Sequence, residues 1–211
     1  MDSDQQTQFR FPPKLTKEEI NELPLRSYDG PVQVINQDAD VQPAVDRLMK
    51  EKMIGFDTET KPAFRKGQVF DPSLIQLAGE DMVYLFQINR LSNFDALIPL
   101  FEDTKIKKAG VAIERDLKEL QVMQEFEPGG FIELSTLSDL IGVKSNGLRG
   151  LAGLLLDFRI SKSSQLSDWS KEELESDQIA YAAMDAYASR EMLICICREL
   201  KAMRDAGTLD V

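Results

Sequence analysis

Met53-Ile54-Gly55-Phe56-Asp57-Thr58-Glu59 runs from an apolar start into two carboxylates spaced two residues apart. The segment reads as a buried strand. A strand repeats every two residues, so Asp57 and Glu59 point to the same side. Two anions side by side at the end of a buried strand repel each other. They are tolerable when something cationic sits between them, most simply a divalent metal ion. Such an ion needs further oxygen ligands, and the chain holds candidates.

Residues 112–123 read as a helix with an apolar stripe of Ile113, Leu117, Leu120 and Met123. At about 100° per residue, Asp116 falls inside that arc. An acid there needs a partner, which a nearby Lys or Arg would also supply. In Ile179-Ala180-Tyr181-Ala182-Ala183-Met184-Asp185-Ala186-Tyr187-Ala188 the one charge is Asp185. The segment is apolar nearly all round, which predicts burial. A buried, unpaired carboxylate is costly or neutralises itself. Tyr181 and Asp177 precede Asp185 by one and two turns on the same face. A tyrosine hydroxyl satisfying an aspartate inside a core is the plain alternative. Together, Asp57, Glu59, Asp116 and Asp185 form an all-oxygen set suited to hard cations such as Mg²⁺ or Mn²⁺. Four carboxylates suit two ions about 3.5–4 Å apart, the arrangement that clamps both attacking and leaving oxygens in phosphoryl transfer.

Composition narrows the chemistry further. The 211 residues contain no histidine, which removes Ser-His-Asp and Cys-His nucleophile systems and His-ligated zinc. Cys195 and Cys197 point to different sides of a helix and read as inert thiols. Hydrophobic content of 43% and charged content of 29% fit an ordinary globular domain. No apolar run approaches a membrane span, and residues 1–6 lack a signal peptide's basic and apolar regions, so a cytoplasmic protein without membrane contact is expected. The net charge of −11 counts against tight nucleic-acid binding. It leaves room for a site whose metal ions supply the positive charge.

Residues 1–29 read as an N-terminal arm, partly extended or disordered. It has a polar start, Pro12-Pro13, and a short helix opened by the capping box Thr16-Lys17-Glu18-Glu19 and ended by Pro24. Residues 30–211 read as one folded domain. Strands are expected at 32–35, 53–59, 74–78, 82–88, 106–110 and 131–134, with 74–78 and 82–88 antiparallel across the turn at 79–81. Helices are expected at 39–52, 94–101, 112–123, 137–141, 148–156 and 171–204, the last opened by Ser170-Lys171-Glu172-Glu173. Strands come first and then alternate with helices, which predicts an α/β domain with a mixed sheet. There is no dinucleotide fingerprint and no phosphate loop of the Gly-Lys-Ser/Thr type.

Phe56-Asp57-Thr58-Glu59-Thr60, Gly110-Val111-Ala112-Ile113-Glu114-Arg115-Asp116 and Tyr181-Ala182-Ala183-Met184-Asp185-Ala186 resemble, in order, the three motifs of the DEDD superfamily of 3′–5′ exonucleases. Tyr181, four residues before the last Asp, matches the DEDDy branch. That branch includes ribonuclease D-like members, and Ser167-Asp168-Trp169-Ser170 looks most like its Werner-type members. The resemblance covers roughly residues 31–200. It implies a ribonuclease H-like fold, a mixed central β-sheet flanked by α-helices. At this length it implies an exonuclease domain without a companion helicase or accessory RNA-binding domain. It further implies that Asp57, Glu59, Asp116 and Asp185 bind two divalent cations, Mg²⁺ or Mn²⁺. With Tyr181 orienting water, these residues would be catalytic. The implied partner is nucleic acid, as a single strand or the 3′ end of a duplex, cleaved to nucleoside 5′-monophosphates. Thr58, Phe64, Arg65 and Lys66 are candidate substrate contacts, Phe64 by stacking on a base and the two cations by meeting phosphates. A solvated surface loop is the plain alternative for residues 64–66. Two rival functions remain: a non-catalytic nucleic-acid-binding module on the same scaffold, and a metal-dependent nucleotide phosphatase.

Overall fold

The alternation along residues 53–60 separates two faces of a central sheet. Ile54 and Phe56 enter one apolar cluster with Ile75 and Leu77. Gly55 lies against the backbone of the last helix on the opposite face. A computed structural model describes residues 9–208. The polar beginning of the expected arm, residues 1–8, lies outside the described residues.

In chain order the elements are α1 (Lys17–Glu22), β1 (Leu25–Arg26), β2 (Val32–Ile35), α2 (Asp38–Leu48), β3 (Met53–Thr60), β4 (Pro72–Ala78), β5 (Val83–Phe86), α3 (Ile98–Glu102), β6 (Lys107–Gly110), α4 (Ile113–Met123), β7 (Phe131–Glu133), α5 (Leu134–Ser138), α6 (Leu148–Leu156), β8 (Arg159–Ile160) and α7 (Ser176–Asp205). Six strands form one sheet in the order β2-β5-β4-β3-β6-β7. β4 is antiparallel to both β3 and β5, whereas the other neighbours are parallel. The mixed sheet expected from the order of elements is therefore present. α2, α3 and α4 cover one face through Val45, Leu48, Phe101 and Leu120. α7 crosses the other face, with α5 and α6 beside it. No described helix is long and apolar enough to cross a membrane.

Residues 9–29 pack on this body. The capping box opening α1 is formed: Glu19 N donates to Thr16 Oγ1 at 3.2 Å, and Thr16 N to Glu19 Oε2 at 2.7 Å. Lys144 N donates to Pro13 O at 2.7 Å, and β1 pairs in parallel with β8.

Several local readings change: the helix expected at 39–52 ends at Leu48, and that expected at 137–141 is α5 at Leu134–Ser138 followed by a 3₁₀ turn at Asp139–Ile141. The last helix opens at Ser176 with Glu175 as its N-cap, not at Ser170. The N–H and hydroxyl of Ser170 are both taken by Asp168 Oδ1, at 3.0 and 2.6 Å, which makes a turn rather than a helix start. The helix expected at 94–101 is a short 3₁₀ turn at Asp95–Leu97 followed by α3, because Pro99 favours a helix start.

Candidate active site

The site exists because β6 is short. Its ladder with β3 ends at the Gly55–Ala109 pair, while β3 continues to Thr60. At Gly110 a side chain would meet the Phe56 carbonyl oxygen at 2.6 Å. The chain then turns away at Ala112, whose φ of 61° is left-handed for a residue with a Cβ. That conformation costs about 1–2 kcal/mol. Ile113 N donates to Glu133 Oε2 at 3.1 Å, fixing the start of α4. Past Gly55, β3 has no neighbour on the β6 side. The Thr58 N–H donates instead to the adjacent Asp57 Oδ1 at 2.9 Å.

Into this gap come acids from both layers. α4 brings Asp116 from one face, held by the Thr58 hydroxyl, which donates to Asp116 Oδ1 at 2.5 Å. α7 brings Asp185 and Tyr181 from the other. Gly55 permits this, since a Cβ there would lie 1.8 Å from the Ala186 carbonyl oxygen. Asp57, Thr58, Glu59, Asp116, Tyr181 and Asp185 line one cavity of about 650 Å³. Trp169, fully buried, packs behind Tyr181 with ring centroids 6.0 Å apart.

Phe64, Arg65 and Lys66 do not line this cavity; they sit on the loop beyond it, with Phe64 77% exposed. The same loop contributes Lys61, Val69 and Phe70. Arg115, Gln165 and Leu166 complete the walls, none of them singled out by the sequence. Lys61 had a signal, since it directly follows the acidic strand. The others depend on how two irregular loops fold. Lys61 Nζ pairs with Asp168 Oδ2 at 2.9 Å and donates to Ser170 Oγ at 3.2 Å. The Ser170 hydroxyl and Lys61 hold the Asp168 carboxyl down to about 2.

The electrostatics of the acids run the other way. Burial, then the Asp185 and Asp116 charges, raises Asp57 well above the usual carboxylate range. Burial, then Asp57, pushes Glu59 up to about 10. Burial raises Asp185 to about 7, against a lowering contact from Tyr181. Asp116 is raised by burial, partly offset by Thr58. Burial, followed by Asp185 and Glu59, lifts the Tyr181 phenol far above its usual value, so it stays protonated.

Does this set suit divalent cations? Among the described residues no three acids close on a single point tightly enough to grip an ion as they stand. Yet the donors are all oxygen, they share one cavity, and their charges destabilise one another. Asp185, 3% exposed, has Oδ1 buried with no hydrogen-bond partner. An orphaned buried carboxylate oxygen on a residue that shares its cavity with three further acids fits a hard cation. Side-chain rearrangement would be needed to complete the shell.

A mixed sheet with acids gathered where one strand peels away is the architecture of a nuclease-type hydrolase. The model of the 3′–5′ exonuclease family matches residues 32–203, and the chain belongs to that family. It is 36% identical over 148 residues to the mouse bifunctional 3′–5′ exonuclease/ATP-dependent helicase WRN, covering 67% of this chain and 11% of that protein. The crystal structure of the Aedes aegypti Nibbler EXO domain superposes with a TM-score of 0.77 at 24% identity, covering 88% of this chain and 95% of that one. The Trypanosoma brucei RNase D complex with RNA U12 superposes with a TM-score of 0.71 at 20% identity, covering 80% and 63%. These likenesses show the ribonuclease H-like exonuclease fold. The chain spans about a tenth of the length of the mouse relative.

Proposed function

We propose that this chain hydrolyses nucleic acid from its 3′ end, releasing nucleoside 5′-monophosphates. The observation that carries this reading is the meeting of Asp57, Glu59, Asp116, Tyr181 and Asp185 around one cavity, on the three motifs of the family. Residues 30–211 form the exonuclease unit in this reading, with the N-terminal segment as an arm docked on it.

Asp57, Glu59 and Asp185 would hold one divalent cation, and Asp57 with Asp116 a second. Bound together, such ions supply Lewis acidity at the scissile phosphate and neutralise the acids around it. The remaining work falls to the chain itself. Thr58 fixes the Asp116 carboxylate through its hydroxyl. Tyr181, held protonated, orients the attacking water by hydrogen bonding rather than taking its proton. Arg115 and Lys61 line the cavity and would exchange their partners Glu119 and Asp168 for phosphates of the incoming strand. With a net charge of −11, affinity should be modest and fall steeply with salt.

The test is a digestion series on 5′- and 3′-labelled DNA and RNA, single- and double-stranded, with Mg²⁺, Mn²⁺ or EDTA. Stepwise shortening from the 3′ end, absent in EDTA and in Asp57→Ala and Asp185→Ala, is the expected result. Bound but intact oligonucleotide would indicate a binding module. Release of inorganic phosphate alone would indicate a phosphatase. Full activity in either Asp variant would overturn the assignment. The series also separates DNA from RNA.

A further inference from the structure

Gln76 lies in β4 and is 0% exposed, yet neither its Nε2 nor its Oε1 has a hydrogen-bond partner. A fully buried amide with both ends unsatisfied is a standing penalty that an apolar residue would avoid. Each such group in a folded protein calls for an explanation.

The register supplies one. Gln76 is directly opposite Asp57 in the antiparallel β3–β4 ladder. Directly opposed residues project from the same face of a sheet, with Cβ atoms about 4.5–5.5 Å apart. That face is the one under α7. Leu74 and Ala78, two residues either side of Gln76, cluster with Ala182, Ala183 and Ala186. These short side chains leave depth for an amide between sheet and helix. Asp185, whose Oδ1 is likewise buried without a partner, lies between Ala183 and Ala186 in the sequence of α7. A buried donor without an acceptor and a buried acceptor without a donor thus share one interface with Asp57.

We propose that Gln76 is a positioning residue for the acid cluster. Its Nε2–H holds the inner side of the Asp57 carboxylate, directly or through one buried water, and so fixes which oxygen faces the cavity. An amide suits this role because it donates without carrying charge. A lysine there would neutralise the carboxylate and compete with a divalent ion. The inference rests on the metal-binding reading of Asp57 and Asp185. It predicts that Gln76 matters to cation affinity although it lies behind the carboxylates and does not line the cavity.

The experiment is Gln76→Leu in the full chain, with Gln76→Met, unbranched and of similar length, as the second variant should the first fail to fold. Three quantities are read: melting temperature in EDTA, Mn²⁺ affinity of the substrate-free protein by electron paramagnetic resonance titration, and kcat and KM on a labelled oligonucleotide. The expected result is a folded variant with a melting temperature lowered by a few degrees at most, because the inner side of the Asp57 carboxylate loses its donor while an apolar residue fills the space. Mn²⁺ affinity should fall by about 10–100-fold, the range for losing a partner that orients a ligand. kcat should fall with it while KM for the oligonucleotide moves by less than about twofold, since a positioning group acts on the chemical step. Wild-type Mn²⁺ affinity in a folded variant would overturn the inference alone. A wild-type chain that bound no Mn²⁺ would overturn it together with the reading it rests on.

Discussion

Gly55 in β3 lies directly against the Ala186 carbonyl in α7: a Cβ at position 55 would stand 1.8 Å from that oxygen. The contact lets α7 approach the sheet one residue after Asp185 and two residues before Asp57. It is the clamp that sets the separation of the two acids. Gly55→Ala must push helix and strand apart, and backbone cannot yield as a side-chain end can. A loss of about 1–3 kcal/mol of stability is expected, the range for overpacking, with activity falling by more than the unfolded fraction explains. Urea denaturation beside specific activity at low temperature checks it; a variant with normal activity would show that the spacing is not critical.

Thr58→Val removes the hydroxyl that donates to Asp116 Oδ1 but keeps the β-branched shape. About 1 kcal/mol of stability should be lost, together with a clear drop in kcat. Thr58→Ser, which retains the donor, should recover most of the rate. Equal loss in both variants would point to packing rather than to the hydrogen bond.

Tyr181→Phe keeps the ring against Trp169 and deletes the hydroxyl. Cation binding should persist while the rate falls about 10²–10³-fold, as for other lost positioning and proton-handling groups. An unchanged rate in single-turnover assays would remove Tyr181 from the reaction.

Stability in EDTA should depend on pH with a definite sign. Asp57, Glu59, Asp116 and Asp185 are all raised above their unfolded values. The folded chain therefore holds more protons than the unfolded chain, and stability falls as pH rises. The window opens above the unfolded values of 3.8 and 4.5 and runs through about 7 for Asp185 and about 10 for Glu59. Paired carboxylates such as Asp168, held down to about 2, lose their contribution only below that window. Melting temperature should thus decline from about pH 5 to about pH 8, and Asp185→Asn should flatten the slope. A flat wild-type profile would contradict the mutual destabilisation of the acids.

Ala112 adopts φ of 61° at the turn into α4. Ala112→Gly relieves the strain of a Cβ in that conformation at some cost in unfolded-chain entropy, so stability should hold or rise. Ala112→Val should destabilise further, because a β-branched side chain is harder still to accommodate at positive φ than the alanine already there. Thermal melts of the two variants decide the point.

Much of the site is legible in the sequence because its acids violate the local pattern. Asp57, Glu59 and Asp185 interrupt apolar segments, and Asp116 breaks a helical stripe. Gln76 gives no such signal. In Leu74-Ile75-Gln76-Leu77-Ala78 one polar residue in an apolar run reads as a tolerable interruption, and only the burial of every β4 residue, in clusters on opposite sides, shows that the strand is covered on both faces. The start of α7 is misplaced from sequence because Ser170-Lys171-Glu172-Glu173 has capping chemistry, and nothing in the pattern reveals that Asp168 already occupies the serine. The loop at 61–71 is legible as a loop but not as a surface. Which of its side chains reach the cavity is set by its tertiary path, and Lys61, Val69 and Phe70 reach it where Phe64 does not.

The early end of β6 also bears on which length changes the chain can tolerate. One residue inserted between Gly110 and Ile113 would break the left-handed turn at Ala112 that delivers α4, and so move Asp116 away from Thr58. The same insertion near Gly67, where an added Cβ would meet nothing within 4 Å, would disturb only solvent-facing backbone. Deletions and insertions scanned along this chain should therefore abolish activity at Val111 and Ala112, and be mild at the tip of the loop around Gly67.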